Sequence, residues 1–328
     1  MTEQASQPII LHSARLAVEF SQPGSVYRGT RFDWNSFVTQ VTLDGQHTFC
    51  TRESLKPGHG TGGMGLCSEF GNEKPTGYAD AQPGEAFPKL GIGLLRRPAA
   101  DNYSYLRTYE IVQLFPVHLD ASADQLTIMV EPVDCRGYAA RLQKTYKVNG
   151  NWLEVAYRME NTGSRLIDTH EYAHNFICID QQLMGPDYRL RLPYPIQMEN
   201  VAASYRSLLP AVVRKVVPPA LIDKLIDTLL GQGLRALAIA GSEMSFRFTP
   251  KTWFFFRQAE FKPSESCQWE IKHLGKGVGL REYDNFAPAR VAVWGEAHVI
   301  SAEAYIDLVL QPGEVKTWSR RYEFFTGG

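Results

Sequence analysis

Hydrophobic and polar residues alternate along most of the chain. In residues 151–160 (NWLEVAYRME), Leu153 and Val155 point to one side and Glu154 to the other. A period of two residues is typical of a half-buried β-strand. The sequence Asn-Thr-Gly-Ser follows directly and predicts a turn.

The same alternation recurs throughout the sequence, with turn residues such as Gln-Pro-Gly-Glu between the segments. Short strands at this frequency predict an all-β sandwich or barrel. The clearest further strand segments are 103–115, 124–134, 140–150, 304–310 and 315–325.

Residues 218–240 break the pattern. Their apolar positions 221, 222, 225, 226, 229 and 230 have the spacing of an amphipathic helix. Two prolines stand at the expected start, and Gly231 and Gly233 at the expected end. We therefore expect one to three short helices as an insertion, within about 201–245, in a single β domain spanning 1–328. Such an insertion would act in packing or as an interface.

Composition narrows the functional classes. The 328 residues are 44% hydrophobic, and the formal net charge is −1. This balance gives no reason to expect nucleic acid or an anionic membrane as a partner. No apolar run approaches the length of a membrane-spanning helix, and the N-terminus lacks the pattern of a secretory signal. The five cysteines form no CxxC pair. They predict reduced thiols in a cytoplasmic protein.

Residues 168–180 (DTHEYAHNFICID) contain His170, Glu171 and His174 in the H-E-x-x-H order of zinc hydrolases. That chemistry requires a helix, on which both histidines share one face. The segment instead follows a strand and a turn and continues with residues that favour strands. In a strand, His170, Tyr172 and His174 share one face and Glu171 points to the other. A zinc hydrolase stays open as a minor alternative, because the preceding Asp-Thr could cap a helix.

On the strand interpretation, His170, Tyr172, His174 and Asn175 form a group of polar and aromatic side chains on a sheet. Burying such a group costs several kcal/mol unless every polar atom is paired. A functional site is therefore the better explanation. The glycine-rich stretch 56–65 lacks the ending of a phosphate-binding loop and predicts a flexible loop near the site.

Several segments together resemble the galactose mutarotase (aldose 1-epimerase) superfamily, in particular its divergent branch known only as epimerase-like. The similarity lies in the order and spacing of these segments, and it covers nearly the whole chain. They are VYRGTRFDWNSFV (26–38), GLCSEFG (65–71), GYADAQPGEAFPKLGIGLL (77–95), EYAHNFICID (171–180) and the stretch 291–324 with its Pro-Gly-Glu turn.

The resemblance implies a twisted β-supersandwich and the interconversion of the α and β anomers of an aldose. That reaction needs one general acid and one general base, and neither a metal nor an organic cofactor. The acid of the family falls on His174, which makes His170 a neighbour that contacts substrate or tunes the pKa of His174. The base falls on Glu303, with Glu282 as the alternative.

Other residues in the matching segments are implied to bind the sugar. They are Arg31, Glu69, Lys89 and Trp294, together with His170, Tyr172 and Asn175, and Arg281 is a further candidate outside these segments. The sequence departs from the typical family in lacking its Asn-Arg pair and its second active-site histidine. No histidine lies between 60 and 117, and His59 could at most substitute. The sugar is therefore not fixed, and the basic Arg31 and Lys89 leave room for an acidic one.

Three functions compete at this point. An anomer-interconverting enzyme predicts that His174 and a glutamate face each other across one cleft. A non-catalytic carbohydrate-binding protein on the same fold predicts an aromatic groove with the carboxylate missing or turned away. A zinc hydrolase predicts both histidines on one helix around a metal. For the first two we expect a small sugar as the partner, and a homodimer is compatible with either.

Overall fold

Antiparallel strands make up almost all of the regular secondary structure. A computed structural model describes residues 7–35, 37–199, 213, 216–262 and 267–327. The first twelve strands are β1 (Ile9–His12), β2 (Leu16–Phe20), β3 (Val38–Leu43), β4 (His47–Thr48), β5 (Leu66–Phe70), β6 (Ala86–Lys89), β7 (Gly93–Arg96), β8 (Ile111–Leu114), β9 (Val117–Ala121), β10 (Gln125–Val130), β11 (Ala140–Asn149) and β12 (Trp152–Asn161).

The described part of the second half continues in the same way, with the helix at Pro219–Leu234 and short 3₁₀ turns at Ile179–Gln181 and Leu274–Lys276. Its elements are β13 (Ile167–Asn175), β14 (Tyr188–Arg191), β15 (Met198–Glu199), helix α1 (Pro219–Leu234), β16 (Leu237–Ala240), β17 (Glu243–Phe246), β18 (Phe254–Gln258), β19 (Cys267–His273), β20 (Val278–Asp284), β21 (Arg290–Glu296), β22 (Val299–Leu310) and β23 (Val315–Thr326).

The described strands form two large sheets and one small sheet. Sheet 1 has the order β1-β2-β3-β5-β13-β22-β21-β18-β15, with β4 paired to β3. Sheet 2 has the order β16-β17-β14-β19-β20-β23-β12-β11-β10-β9, and sheet 3 contains β6, β7 and β8. The alternating pattern is therefore confirmed as all-β, and the two large sheets form a sandwich.

The core lies between sheets 1 and 2. The ring of Phe20 meets that of Tyr146 with centroids 4.9 Å apart, and Phe49 meets Phe324 at 4.7 Å, so both contacts join the two sheets. In strand β12 burial follows the alternation of hydrophobic and polar residues, because every second residue from Leu153 onward is buried. Its other face is only half-covered, which is typical of an antiparallel sheet with one face toward the core.

Helix α1 lies within the predicted segment 218–240 and occupies Pro219–Leu234 of it. Residues 237–240 form strand β16, in which Leu237 pairs with Phe246. Gly231 and Gly233, which were expected to end the helix, lie inside it, because its last residue is Leu234. A Cβ atom at Gly233 would lie 2.2 Å from the carbonyl oxygen of Trp253, so this glycine permits close packing rather than ending the helix. The predicted insertion also includes residues 201–212, 214 and 215, which lie outside the described residues. No helix in the described part of the chain is long and apolar enough to cross a membrane.

Candidate active site

The H-E-x-x-H segment is a strand in the middle of sheet 1. Strand β13 pairs with β5 on one side and β22 on the other. Glu171 points between the sheets, where it accepts hydrogen bonds from Arg320 (2.7 Å) and Trp318 (3.2 Å). The helical zinc arrangement is therefore not formed, because the extended backbone turns Glu171 away from His174. Among the described residues, no three His, Cys, Asp or Glu side chains are grouped so that they could hold a metal ion.

The other face of β13 lines a cavity of about 530 Å³. This volume is in the ordinary range for small-molecule sites, and the walls combine aromatic and charged side chains. The described residues that line it are Arg31, Glu53, Asn72, Glu73, Tyr105, Leu106, Tyr172, His174, Trp253, Phe255, Arg257, Trp294, Glu296, Glu303 and Tyr305.

His174 and Glu303 meet inside this cavity. The Nε2 atom of His174 lies 3.2 Å from Oε1 of Glu303. The register of sheet 1 brings them together, because Tyr172 pairs with Tyr305 in antiparallel strands. His174 lies two residues after Tyr172 and Glu303 two residues before Tyr305, so both fall on the same face at the same level. Both side chains are almost completely buried. A proton can therefore pass between them without a water molecule.

Burial sets the protonation of this pair. Desolvation raises the pKa of Glu303 to about 8, against the lowering effects of Arg31, Ser301 and Tyr305. Desolvation, reinforced by Arg31, holds the pKa of His174 well below its usual value. At neutral pH the pair therefore carries one proton, which rests on Glu303, and the imidazole is neutral.

The carboxylate of Glu303 is held in place from its own strand. Ser301 Oγ donates to Oε1 and Tyr305 Oη donates to Oε2, each at 3.1 Å. The ring of Tyr305 stacks on that of Tyr172 with centroids 4.2 Å apart. These contacts leave the carboxyl group few orientations other than the one that faces His174.

Aromatic rings hold the imidazole. His174 stacks on Phe176 with centroids 4.0 Å apart and meets the edge of Trp294 at 5.6 Å. Its Nδ1 atom has no hydrogen-bond partner among the described residues. Nε2 is therefore the ring nitrogen that is placed to exchange a proton with Glu303.

Arg31 and Glu69 form a buried network beside the pair. Arg31 Nε donates to Glu69 Oε2 at 2.8 Å, and another guanidinium nitrogen donates to Thr61 Oγ1 at 2.9 Å. Tyr172 accepts from Arg31 and donates to Glu69. The network therefore orients Tyr172, on which Tyr305 stacks. It also brings the loop containing Thr61 to the cavity, where the glycine-rich stretch was predicted to lie.

Three of the predicted residues lie away from the cavity. Asn175 follows His174 directly and therefore points to the other face, where it donates to Glu282 and accepts from Tyr322. Glu282 belongs to sheet 2 and lies in the interior between the sheets. Arg281 faces outward from sheet 2 and pairs with Glu270 and Glu323.

Lys89 and His170 stand behind the cavity wall. Lys89 Nζ is fully buried, donates to the carbonyl of Phe70, and lies 3.9 Å from Glu69. His170 Nε2 contacts Oδ1 of Asn72 at 2.5 Å, and burial lowers the pKa of His170 to about 4. His170 is thus a neutral support for Asn72, which does line the cavity.

Comparison with known proteins shows which solved structures share this architecture. No sequence-family profile matches the chain, and no curated protein matches it in sequence. Solved structures match over nearly the full length of both chains. A galactose mutarotase related enzyme from Lactobacillus acidophilus has a TM-score of 0.57, with 9% identity and 98% of each chain covered.

Two further solved structures are similar to this chain over nearly their full length. An aldose epimerase homologue from C. elegans has a TM-score of 0.54 at 9% identity, covering 99% of this chain and 100% of its own. A galactose mutarotase-like protein from Clostridium acetobutylicum has a TM-score of 0.54 at 10% identity, covering 97% and 95%. The chain has the galactose mutarotase-like fold. At such low identities the likeness shows the fold alone.

Within this mutarotase-like fold, the sequence analysis missed several residues of the site, although a signal for two of them existed. Ser301 and Tyr305 lie two positions either side of Glu303 on β22. The alternation that predicts the strand therefore also places them on the face of Glu303. Others come from loops or distant strands, and their convergence depends on the tertiary fold. These are Glu53, Asn72, Glu73, Tyr105, Leu106, Trp253, Phe255, Arg257 and Glu296.

Proposed function

We propose that this protein interconverts the anomers of an aldose by opening and reclosing the sugar ring, with His174 and Glu303 as the proton-transfer pair. The distance of 3.2 Å between Nε2 and Oε1, inside a cavity of sugar-accommodating size, carries the proposal. The two sugar oxygens that exchange protons, O1 and O5, are both bonded to C1. A donor and an acceptor only a few ångströms apart can therefore reach both.

The His174–Glu303 pair needs to hold only one exchangeable proton throughout the cycle. The carboxylic acid of Glu303 donates its proton to O5 while Nε2 of His174 accepts the proton of the O1 hydroxyl. The C1–O5 bond breaks, which gives an aldehyde at C1 and a hydroxyl at C5. After rotation about C1–C2, O5 attacks the other face of C1. His174 then returns a proton to O1, and Glu303 recovers its proton from O5.

This order follows from where the proton rests. The family resemblance gives the acid role to His174 and the base role to Glu303, whereas the raised pKa of Glu303 favours Glu303 as the first donor. In both assignments the pair holds the same number of protons. The residue that donates a proton during ring opening accepts one during ring closure. A pKa near neutral pH on one member suits a group that must both give and take a proton.

A non-catalytic sugar-binding protein is the second candidate. The absence of the Asn-Arg pair and of the second active-site histidine favours it, because both are typical of the active family. It does not account for the buried carboxyl group of Glu303 facing His174. Burying such a group is costly, and a proton-transfer role provides a reason for retaining it.

Anomer exchange in freshly dissolved sugars tests the proposal. α-Anomers of a panel of hexoses, pentoses, uronates and sugar phosphates are followed by NMR with wild type, His174→Ala and the surface control His118→Ala. We expect accelerated exchange for at least one sugar, a loss of roughly a hundredfold or more in His174→Ala, and no change in His118→Ala. Full activity of His174→Ala on a good substrate would overturn the assignment. Binding without exchange in wild type would favour the second candidate.

A further inference from the structure

The cavity extends well beyond the proton-transfer pair along sheet 1. Glu303 pairs with Ala292 on the neighbouring strand β21. Trp294 and Glu296 follow Ala292 at steps of two residues, so all three share one face of the sheet. At about 3.3 Å per residue, Glu296 lies about 13 Å along the strand from the level of Glu303. A single pyranose ring occupies only part of that length.

Aromatic side chains line the intervening wall. Phe255 on β18 pairs with Trp294, and Trp253 lies two residues before Phe255. All three belong to the lining of the same cavity. Aromatic faces provide large apolar contact area at the expense of few rotatable bonds, which suits the C–H faces of a sugar ring. The wall therefore offers stacking surface between the reaction centre and Glu296.

Glu296 ends this wall with unused hydrogen-bonding capacity. Its side chain is 39% exposed, and its closest charged partner is His298 Nδ1 at 4.0 Å. It accepts no hydrogen bond from any side chain or backbone group within the described ranges. The neighbouring Glu53, in contrast, accepts from the backbone of Thr61 and Gly63. Two carboxylate oxygens of Glu296 are thus available to hydroxyl donors of a ligand.

We propose that the wall of Trp253, Phe255, Trp294 and Glu296 is a second sugar subsite, so that the substrate is a reducing disaccharide or longer saccharide. This inference rests on the proposed function: the reducing-end ring lies at His174 and Glu303. The next ring stacks on the aromatic wall, and Glu296 accepts hydrogen bonds from its hydroxyl groups.

Charge favours a neutral second ring. Glu53 and Glu296 place two carboxylates at this end of the cavity. Among the described lining residues, the two arginines lie closer to the reaction centre, and each is paired: Arg31 with Glu69, and Arg257 with Glu73. A uronate or phosphate on the second ring would meet repulsion from these carboxylates, and Arg31 and Arg257 are already engaged by glutamates.

Binding and exchange measured side by side test the subsite. Calorimetry with maltose, cellobiose, lactose and glucose is carried out on wild type, Glu296→Ala and the control Glu154→Ala, a half-exposed carboxylate on sheet 2. We expect at least one disaccharide to bind about tenfold more tightly than glucose. Glu296→Ala should reduce the ratio of disaccharide to glucose affinity about tenfold, and Glu154→Ala should preserve it.

Anomer exchange on the same sugars separates the two proposals. Exchange of glucose with no disaccharide binding more tightly overturns the subsite and leaves the proposed function standing. A disaccharide preference that depends on Glu296, without exchange of any sugar, supports the subsite as a binding site and contradicts the proposed chemistry. An equal loss of glucose and disaccharide affinity in Glu296→Ala also overturns the subsite.

Discussion

Tyr305 connects the two halves of the site, because its ring stacks on Tyr172 while its hydroxyl donates to Glu303 at 3.1 Å. Tyr172 is in turn bonded to Arg31 and Glu69. The hydrogen bond from Tyr305 stabilises the ionised form of Glu303 and so lowers its pKa. Tyr305 is therefore a positioning residue whose effect can be measured in a pH profile.

Tyr305→Phe keeps the stacked ring and removes only the hydroxyl. We expect kcat for anomer exchange to fall about tenfold, and the alkaline limb of the pH profile to move to higher pH, because the pKa of Glu303 rises. Tyr138→Phe, at a tyrosine remote from the cavity, is the matched control. A lower rate with an unmoved alkaline limb would mean that the hydroxyl has only a structural role.

The wild-type pH profile should report the shared proton. With a pKa of about 8 for Glu303, exchange should decline above about pH 8, because the pair then holds no proton to donate. On the acid side activity should persist below pH 6.5, because the pKa of His174 lies well below that value. NMR exchange rates, corrected for the spontaneous reaction at each pH, give both limbs. A rate that keeps rising to pH 9 after this correction contradicts the shared-proton account.

Glu303→Gln should make the protein more stable at alkaline pH while abolishing its activity. The pKa of Glu303 is about 8 in the folded protein and near 4.5 when exposed, so the folded state binds more protons between these values. Its contribution to the free energy of unfolding is therefore present below pH 4.5 and lost as the pH rises to about 8. Glutamine does not titrate, and its advantage at pH 8 is on the order of a few kcal/mol. Urea denaturation at pH 5 and 8 measures the difference, and an equal effect at both pH values would contradict it.

A second buried group of charges lies between the sheets, away from the cavity. Arg320 contacts Glu171 at 2.7 Å and lies 4.0 Å from Glu282. Desolvation raises the pKa of Glu282 to about 7, and burial with the neighbouring Glu282 raises that of Asp284. These carboxyl groups depend on Arg320 for compensation of their charge.

Arg320→Met should therefore destabilise the fold by about 3–5 kcal/mol, because it leaves buried carboxyl groups without a cation. Lowering the pH from 8 to 5 should recover part of this loss, since the raised pKa values favour protonation at pH 5. Thermal unfolding at the two pH values checks this, with the surface variant Arg321→Met as a control. A loss in Arg320→Met no larger than that in Arg321→Met would show that the carboxyl groups are compensated in another way.

The fold was predictable because alternation is a local property. The period of two from Leu153 onward needs only the neighbouring residues, and burial follows it along β12. The end of helix α1 was not predictable in the same way. Gly233 is a stop signal in isolation, but it packs against Trp253, which lies twenty residues later and directly before β18.

The site was only partly predictable for a similar reason. Once β13 is interpreted as a strand, the alternation of side chains places His174 and Tyr172 on one face. The same alternation places Asn175 on the opposite face. The choice between Glu303 and Glu282 depends on which sheet each strand joins, and the local sequence does not contain that information. The same is true of Asn72, which reaches the cavity through its contact with His170.

The most direct test compares two buried glutamates on the best substrate found. Glu303 and Glu282 are both buried and both have a raised pKa, but only Glu303 lies in the cavity. Anomer-exchange rates are measured by NMR for wild type, Glu303→Gln and Glu282→Gln, with folding checked by circular dichroism. We predict a loss of at least about a hundredfold in Glu303→Gln and nearly full activity in Glu282→Gln. Retained activity in a folded Glu303→Gln protein, or its loss only in Glu282→Gln, would contradict the account.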